Sequence, residues 1–291
     1  MRRREFIRLV GGALAAPSIA CAQTAKKIPT VAYLWHAANQ KEESPYYEAL
    51  LEGFSTLGYV DGGNFRLLHR FPNENPERFR QMAAELVGMK FVQSLARPGG
   101  NATGLANFGI DVAGKRLQML KELVPSLSRV GILTTPHNEV NRLTANVIGA
   151  AGDQLGLQLQ TFDAASMQEI EPAFDRMVKA GMQAAILAQG GLAFQARHII
   201  PKLALSRGLP LCAYSRETFE HGALLSYAAD HVEMCRRSAV FADKILKGAN
   251  PGDIPVEQPT KLELLVNLRA AKALSLTVPA HIQQIASEVV E

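Results

Sequence analysis

The chain has 291 residues, of which 47% are apolar and 20% charged, a balance suited to burying globular cores. Its formal charge is +4, but residues 1–22 hold Arg2, Arg3, Arg4 and Arg8 against Glu5 alone, so the remainder carries only +1. No basic stripe is left to follow a phosphate backbone, and nucleic acid is not an expected partner.

The first element is an export leader. Arg3-Arg4-Glu5-Phe6-Ile7-Arg8 has the twin-arginine pattern and precedes an apolar run, Leu9 to Ala20, that is short for a membrane span. Ala20-Cys21-Ala22 gives a small-x-small cleavage pattern, so the mature chain is expected to start at Gln23, in the periplasm. Lipid anchoring through Cys21 is the alternative, with Ser18 standing where a leucine is usual. After cleavage only Cys212 and Cys235 remain, both in apolar surroundings, and no disulfide framework is indicated.

Thr30 to Trp35 reads as a strand, His36 to Ser44 as a polar loop, and Pro45 to Leu57 as a helix with Tyr47, Leu50, Leu51 and Phe54 inward. Phe65, Leu67, His69 and Phe71 alternate as a second strand. A helix is predicted over 76–87, and then the alternation breaks. After Lys90 a third strand is due, yet residues 91–96 run straight into the loop 97–104, so this region looks incomplete.

The following region looks whole. A helix over 112–124 points Leu117, Leu120 and Leu123 inward and Lys115, Arg116 and Lys121 outward. Residues 130–162 form a βαβ unit: an apolar strand, a turn from Thr134 to Asn138, a helix with Leu143, Val147, Ala151 and Leu155 on one face, a stop at Gly156, and a second strand. Ser166 with Glu169, and Asp230 with Glu233, have the spacing of capping boxes. Between them lie strands over 184–188, 209–213 and 222–227, and a helix that stops at Gly208. A proline-bearing linker, a strand over 262–266, a short helix from Asn267 and a helical tail close the chain. The reading is an α/β protein with parallel sheets flanked by helices.

The chain has no CxxC, HExxH, GxSxG, P-loop or GxGxxG pattern, so neither an enzyme nor a cofactor is indicated. What stands out is a set of polar and aromatic residues at predicted strand ends: Trp35 and His36, Thr135 and Asn138, Gln189 and Gly190, Tyr214 and Ser215, and Tyr227 with Asp230. In open parallel sheets ligands sit beyond the carboxyl ends of strands, and small-ligand sites mix aromatic faces with a few aimed polar groups. Each of these residues taken singly also suits an ordinary loop or cap.

An ordered series of segments then carries a resemblance. It comprises the Arg-Arg-x-Phe-Ile leader, Glu52-Gly53-Phe54 with Leu57-Gly58-Tyr59-Val60, and Ser94-Leu95-Ala96-Arg97-Pro98-Gly99-Gly100-Asn101. It continues through Lys115-Arg116-Leu117, Leu225-Ser226-Tyr227 with Asp230, Lys244 to Gly248, and Pro255 to Lys261. The series resembles the ABC transporter substrate-binding protein family that includes tryptophan and other amino-acid or aromatic-compound receptors.

The resemblance implies a two-lobed type I periplasmic binding fold that closes on a small amino-acid-like or aromatic ligand and delivers it to ABC permease membrane subunits. It also implies no chemistry by the receptor, which is expected to be a monomer. It divides the chain into the leader 1–22, an N-terminal lobe 23–108 rejoined by 262–291, a C-terminal lobe 109–227, and a crossing helix and linker 228–261. Family members carry several dozen residues between the equivalents of Lys90 and Phe91, so the first lobe is expected to be shortened. The alternatives are a non-binding remnant of such a receptor and, further off, an extracytoplasmic enzyme on the same scaffold.

Overall fold

The computed structural model describes residues 28–73, 75, 77, 78, 81, 82, 103–106, 109–259 and 261–291. The leader, the region after Lys90, the loop 97–102 and most of the predicted helix 76–87 therefore lie outside the described residues, although residues 77, 78, 81 and 82 are helical.

The first lobe pairs β1 (Thr30–Leu34) with β2 (Arg66–Arg70) in parallel. Helix α1 (Tyr46–Thr56) covers this pair and buries Leu50 and Phe54 against Trp35, Phe65 and Leu67. Leu51, expected inward, is exposed.

The second lobe is built on one sheet of seven strands in the order β4-β3-β5-β6-β7-β8-β9. These are β3 (Arg129–Thr134), β4 (Gln158–Asp163), β5 (Ala184–Leu187), β6 (Leu211–Ala213), β7 (Leu225–Ala229), β8 (Leu262–Asn267) and β9 (Glu288–Val290). All neighbours run parallel except β7 and β8. Alternation along the strands sends Val130, Ile132, Ala184 and Ile186 to one face and Leu133, Ala185 and Leu187 to the other. The first face is covered by α2 (Ala113–Leu123), α3 (Glu139–Leu155), α9 (Leu268–Ala273) and α10 (Ala280–Ile285). The second is covered by α4 (Met167–Lys179), α5 (Gly191–Gln195) and α6 (Ile200–Ser206). Burial on both faces explains why β3, β5, β6 and β7 read as largely apolar runs.

The βαβ unit forms with the predicted punctuation. The Asn138 side chain accepts from Asn141 N to start α3, and Gly156 ends it in the left-handed region at φ 66°. The periodic reading of α3 holds at three of its four positions, since Val147, Ala151 and Leu155 pack against the core. The helix's buried residues are Asn141, Thr144, Ile148 and Gly152, while Leu143 is 38% exposed. The most deeply buried positions include small and polar residues, which a count of large apolar positions alone passes over.

Two further expectations are corrected. Arg116 does not face solvent: it is 0% exposed, beneath the first turns of α2. Residues 262–291 do not rejoin the first lobe either. β8 hydrogen-bonds along β7 from Leu225–Val266 to Ala229–Leu262, and β9 pairs with β8, so this segment completes the second sheet. The apolar Leu264, Leu265 and Val266 are buried there. Helix α7 (Arg216–Glu220) and strand β9 are additions to the predicted elements.

Helix α8 (His231–Leu246) is what returns to the first lobe, lying along α1. Gly53 makes the close approach possible, since a Cβ there would stand 2.2 Å from the Arg236 carbonyl oxygen. Arg236 pairs with Glu52 at 3.0 Å, and the Tyr59 hydroxyl donates to Asp243 at 3.0 Å. Beside this helix, residues 103–106 run next to 254–257, held by Glu257 N to Gly104 O at 2.9 Å and Ala106 N to Glu257 O at 2.8 Å.

Candidate functional site

The carboxyl ends of β3, β5 and β6 are tied by one hydrogen-bonded chain centred on Asn141. Its Oδ1 accepts from Thr135 N at 2.6 Å, and its Nδ2 donates to Gln189 O at 2.7 Å. Asn138 caps the same turn at 3.0 Å, and the Tyr214 hydroxyl donates to Gly190 O at 3.2 Å. The structure thus gathers Thr135, Asn138, Gln189, Gly190 and Tyr214 into one rim. A cavity of about 10 Å³ beneath it, lined in part by Thr134, Thr135 and Asn141, has room for a single water.

The other predicted site residues lie apart from that rim. Trp35 is 2% exposed inside the first lobe, its Nε1 donating to His69 Nδ1 at 3.0 Å and its ring stacked on Phe71. It is a core residue, because β1 turns it toward α1. Tyr227 packs against the second lobe's core. Ser215 is buried and caps α7, and Asp230 caps α8 by accepting from Glu233 N at 2.9 Å. His36 is exposed, and its backbone N donates to Glu43 Oε1 at 2.6 Å.

The lobes meet through residues that the periodic reading passed over. Glu43 is buried and also accepts from Ala37 N at 2.5 Å, which folds the loop 36–45 into a compact turn. That turn delivers Tyr46 to the second lobe, where its ring stacks on Phe194 at 5.5 Å and meets His231 edge-on at 6.2 Å. Arg197 lies over the Phe194 ring at 4.1 Å and donates to Glu42 O at 3.0 Å, from one lobe to the other. The available signal was Tyr46-Tyr47 directly after a Glu-Glu-Ser-Pro turn at a strand's carboxyl end.

Tyr46 neighbours Tyr214, Glu217 and His231, and Arg116 in turn neighbours Tyr214 and His231. Burial, then the charge and hydrogen bond of Glu217, hold the Tyr46 hydroxyl well above the ordinary phenol range. Burial pulls His231 below the ordinary imidazole value against the opposing charges of Glu217 and Asp230. Burial likewise lowers Arg116, and it pushes the neighbouring Cys212 thiol up to about 12. Among the described residues no three His, Cys, Asp or Glu side chains converge as a metal site, and no helix is long and apolar enough to cross a membrane.

Two α/β lobes, joined by adjacent crossing segments and facing each other across strand carboxyl ends, define the type I periplasmic-binding-protein fold. Residues 81–290 match the family model for ABC transporter substrate binding protein, and the chain belongs to that family. A tyrosine-binding protein of Clostridioides difficile is 23% identical over 186 residues, covering 64% of this chain and 53% of that protein. The match thus spans about half the length of this curated relative. A conserved domain protein from Vibrio cholerae superposes with a TM-score of 0.80 at 19% identity, over 90% of this chain and 100% of that one. An ABC domain in complex with L-Trp from Streptococcus pneumonia gives 0.79 at 19% identity, over 90% and 99% of the two chains.

Proposed function

We propose that this protein is exported by its twin-arginine leader and serves as the periplasmic receptor of an ABC importer. It takes an aromatic amino acid between its lobes and hands it to the permease subunits as a monomer. The observation that carries this reading is the Tyr46–Phe194–His231 contact, which presents aromatic faces from both lobes at the carboxyl ends of the strands. Gly190, Gln189, Tyr214 and Asn138 border it and supply polar contacts. The tyrosine-binding relative and the L-Trp complex of the same fold support the ligand class.

A thermal-shift screen of the purified protein against amino acids, aromatic acids and sugars tests the reading. A ligand at about 100 times its dissociation constant adds about 2.7 kcal/mol of stability. The expected result is a shift with aromatic amino acids; a shift confined to sugars rejects the reading.

One observation favours a second reading, a non-binding remnant. Among the described residues the first-lobe sheet has two strands, and two-stranded sheets are marginal by themselves. A cooperative melt that no compound moves selects it.

A further inference from the structure

Two opposite charges are enclosed where the lobes meet, and neither is paired with the other. The Arg116 side chain is fully buried, and its Nη2 donates to Gly109 O at 2.7 Å. Its Nε and Nη1 find no hydrogen-bond partner among the described residues. Glu217 is 5% exposed, and its Oε2 is likewise without a partner. His231 is within the electrostatic reach of both, and Tyr46 of the first lobe hydrogen-bonds Glu217.

Such an arrangement is costly unless something completes it. A buried guanidinium with bare donors forfeits hydration without compensation, and so does a carboxylate oxygen with no donor. The outward phase expected for Arg116 would have avoided that cost entirely. A carboxylate is the acceptor that matches guanidinium donors in charge, and an ammonium offers three donors to a carboxylate. An α-amino acid carries both groups on one carbon.

We infer that Arg116 and Glu217 are the two poles of the ligand site, Arg116 holding the α-carboxylate and Glu217 the α-ammonium of the bound amino acid. The ligand's side chain then runs along the Tyr46 and Phe194 rings. This assignment rests on the amino-acid reading above and deepens it by naming the groups that recognise the zwitterion.

Calorimetric titration of the purified protein with L-tryptophan, L-tryptophanamide and 3-(indol-3-yl)propionate tests it. The amide lacks the carboxylate charge, and the propionate lacks the ammonium. The protein should bind each analogue at least tenfold more weakly than the amino acid. In Arg116→Gln the preference for acid over amide should fall towards one, while the preference over the propionate persists. Glu217→Gln should show the reverse pattern.

If the unaltered protein binds L-tryptophan and its amide equally, the assignment is overturned without recourse to any variant. Unchanged ratios in folded variants also overturn it while leaving the amino-acid reading intact. Failure of the unaltered protein to bind either L-tryptophan or L-tyrosine overturns both. Should Arg116→Gln lose its cooperative melt, Glu217→Gln and the analogue ratios of the unaltered protein still decide the matter.

Discussion

His69 stands between two aromatic partners, accepting on Nδ1 from the Trp35 indole at 3.0 Å and placing Nε2 3.4 Å from the Tyr47 hydroxyl. Burial holds it below its ordinary value of 6.5, with Asp61 opposing. Its folded value is therefore depressed, and the unfolded chain takes up the proton first. The stability that His69 contributes is present above about pH 6.5 and is lost as the pH falls through the unfolded value towards the folded one. Trp35 is the chain's sole tryptophan and is buried beside His69, so it reports on this lobe. Urea unfolding followed by Trp35 emission should show a lower midpoint at pH 5.5 than at pH 7.5, and His69→Gln should flatten that difference. A variant with the same slope as the parent protein would exclude His69 as its source. Strand alternation made His69 visible as a strand residue, but its bond to Trp35 depends on the pairing of β1 with β2 across a separation of 34 residues.

At the scale of elements, the first lobe depends on α8 lying directly on α1. Replacing a helical glycine by alanine ordinarily favours the helix by about 1 kcal/mol. At Gly53 the new Cβ would stand 2.2 Å from a backbone carbonyl oxygen and 3.0 Å from the Ala239 Cβ, and neither of these can swing aside. Overpacking of this kind costs about 1–3 kcal/mol, so the clash outweighs the propensity gain. Gly53→Ala should lower the urea midpoint read from Trp35, with far-ultraviolet circular dichroism showing the second lobe still folded beyond that transition. A stabilised variant would mean that the two helices are not in contact. The glycine was legible within the Glu52-Gly53-Phe54 segment, but the helix it admits lies some 180 residues away along the chain.

For the whole molecule, the contacts between lobes among the described residues include Tyr46 on Phe194, Tyr46 against His231 and Glu217, and Arg197 to Glu42 O. Type I receptors work by hinged closure, and the stability of the closed form sets how firmly the ligand is held. Tyr46→Ala removes an aromatic face and the hydroxyl near Glu217 without opening either lobe's core, since Tyr46 only borders the first-lobe cluster. L-tryptophan affinity, measured by calorimetry, should fall at least tenfold, while the melting temperature without ligand changes by no more than a few degrees. Full affinity in this variant would place the ligand away from the interlobe contact.

Much of this architecture is written locally. Hydrophobic alternation, the Asn138 and Asp230 caps and the Gly156 stop are set by neighbours within one turn of the chain, and the sequence by itself determined them. It also determined the class of strand-end turn from which Asn138, Gln189, Gly190 and Tyr214 come together. Tertiary structure decided the rest. Arg116 reads as a surface cation until packing of α2 in the fold buries it, and Leu143 reads as core until α3 settles on Asn141 and Gly152. The antiparallel pairing of β8 with β7, and the seating of Tyr46 on Phe194, bring together segments far apart in the chain. Residue spacing encodes which side of an element is apolar, but not which distant surface meets it, because that choice is made by packing complementarity between elements.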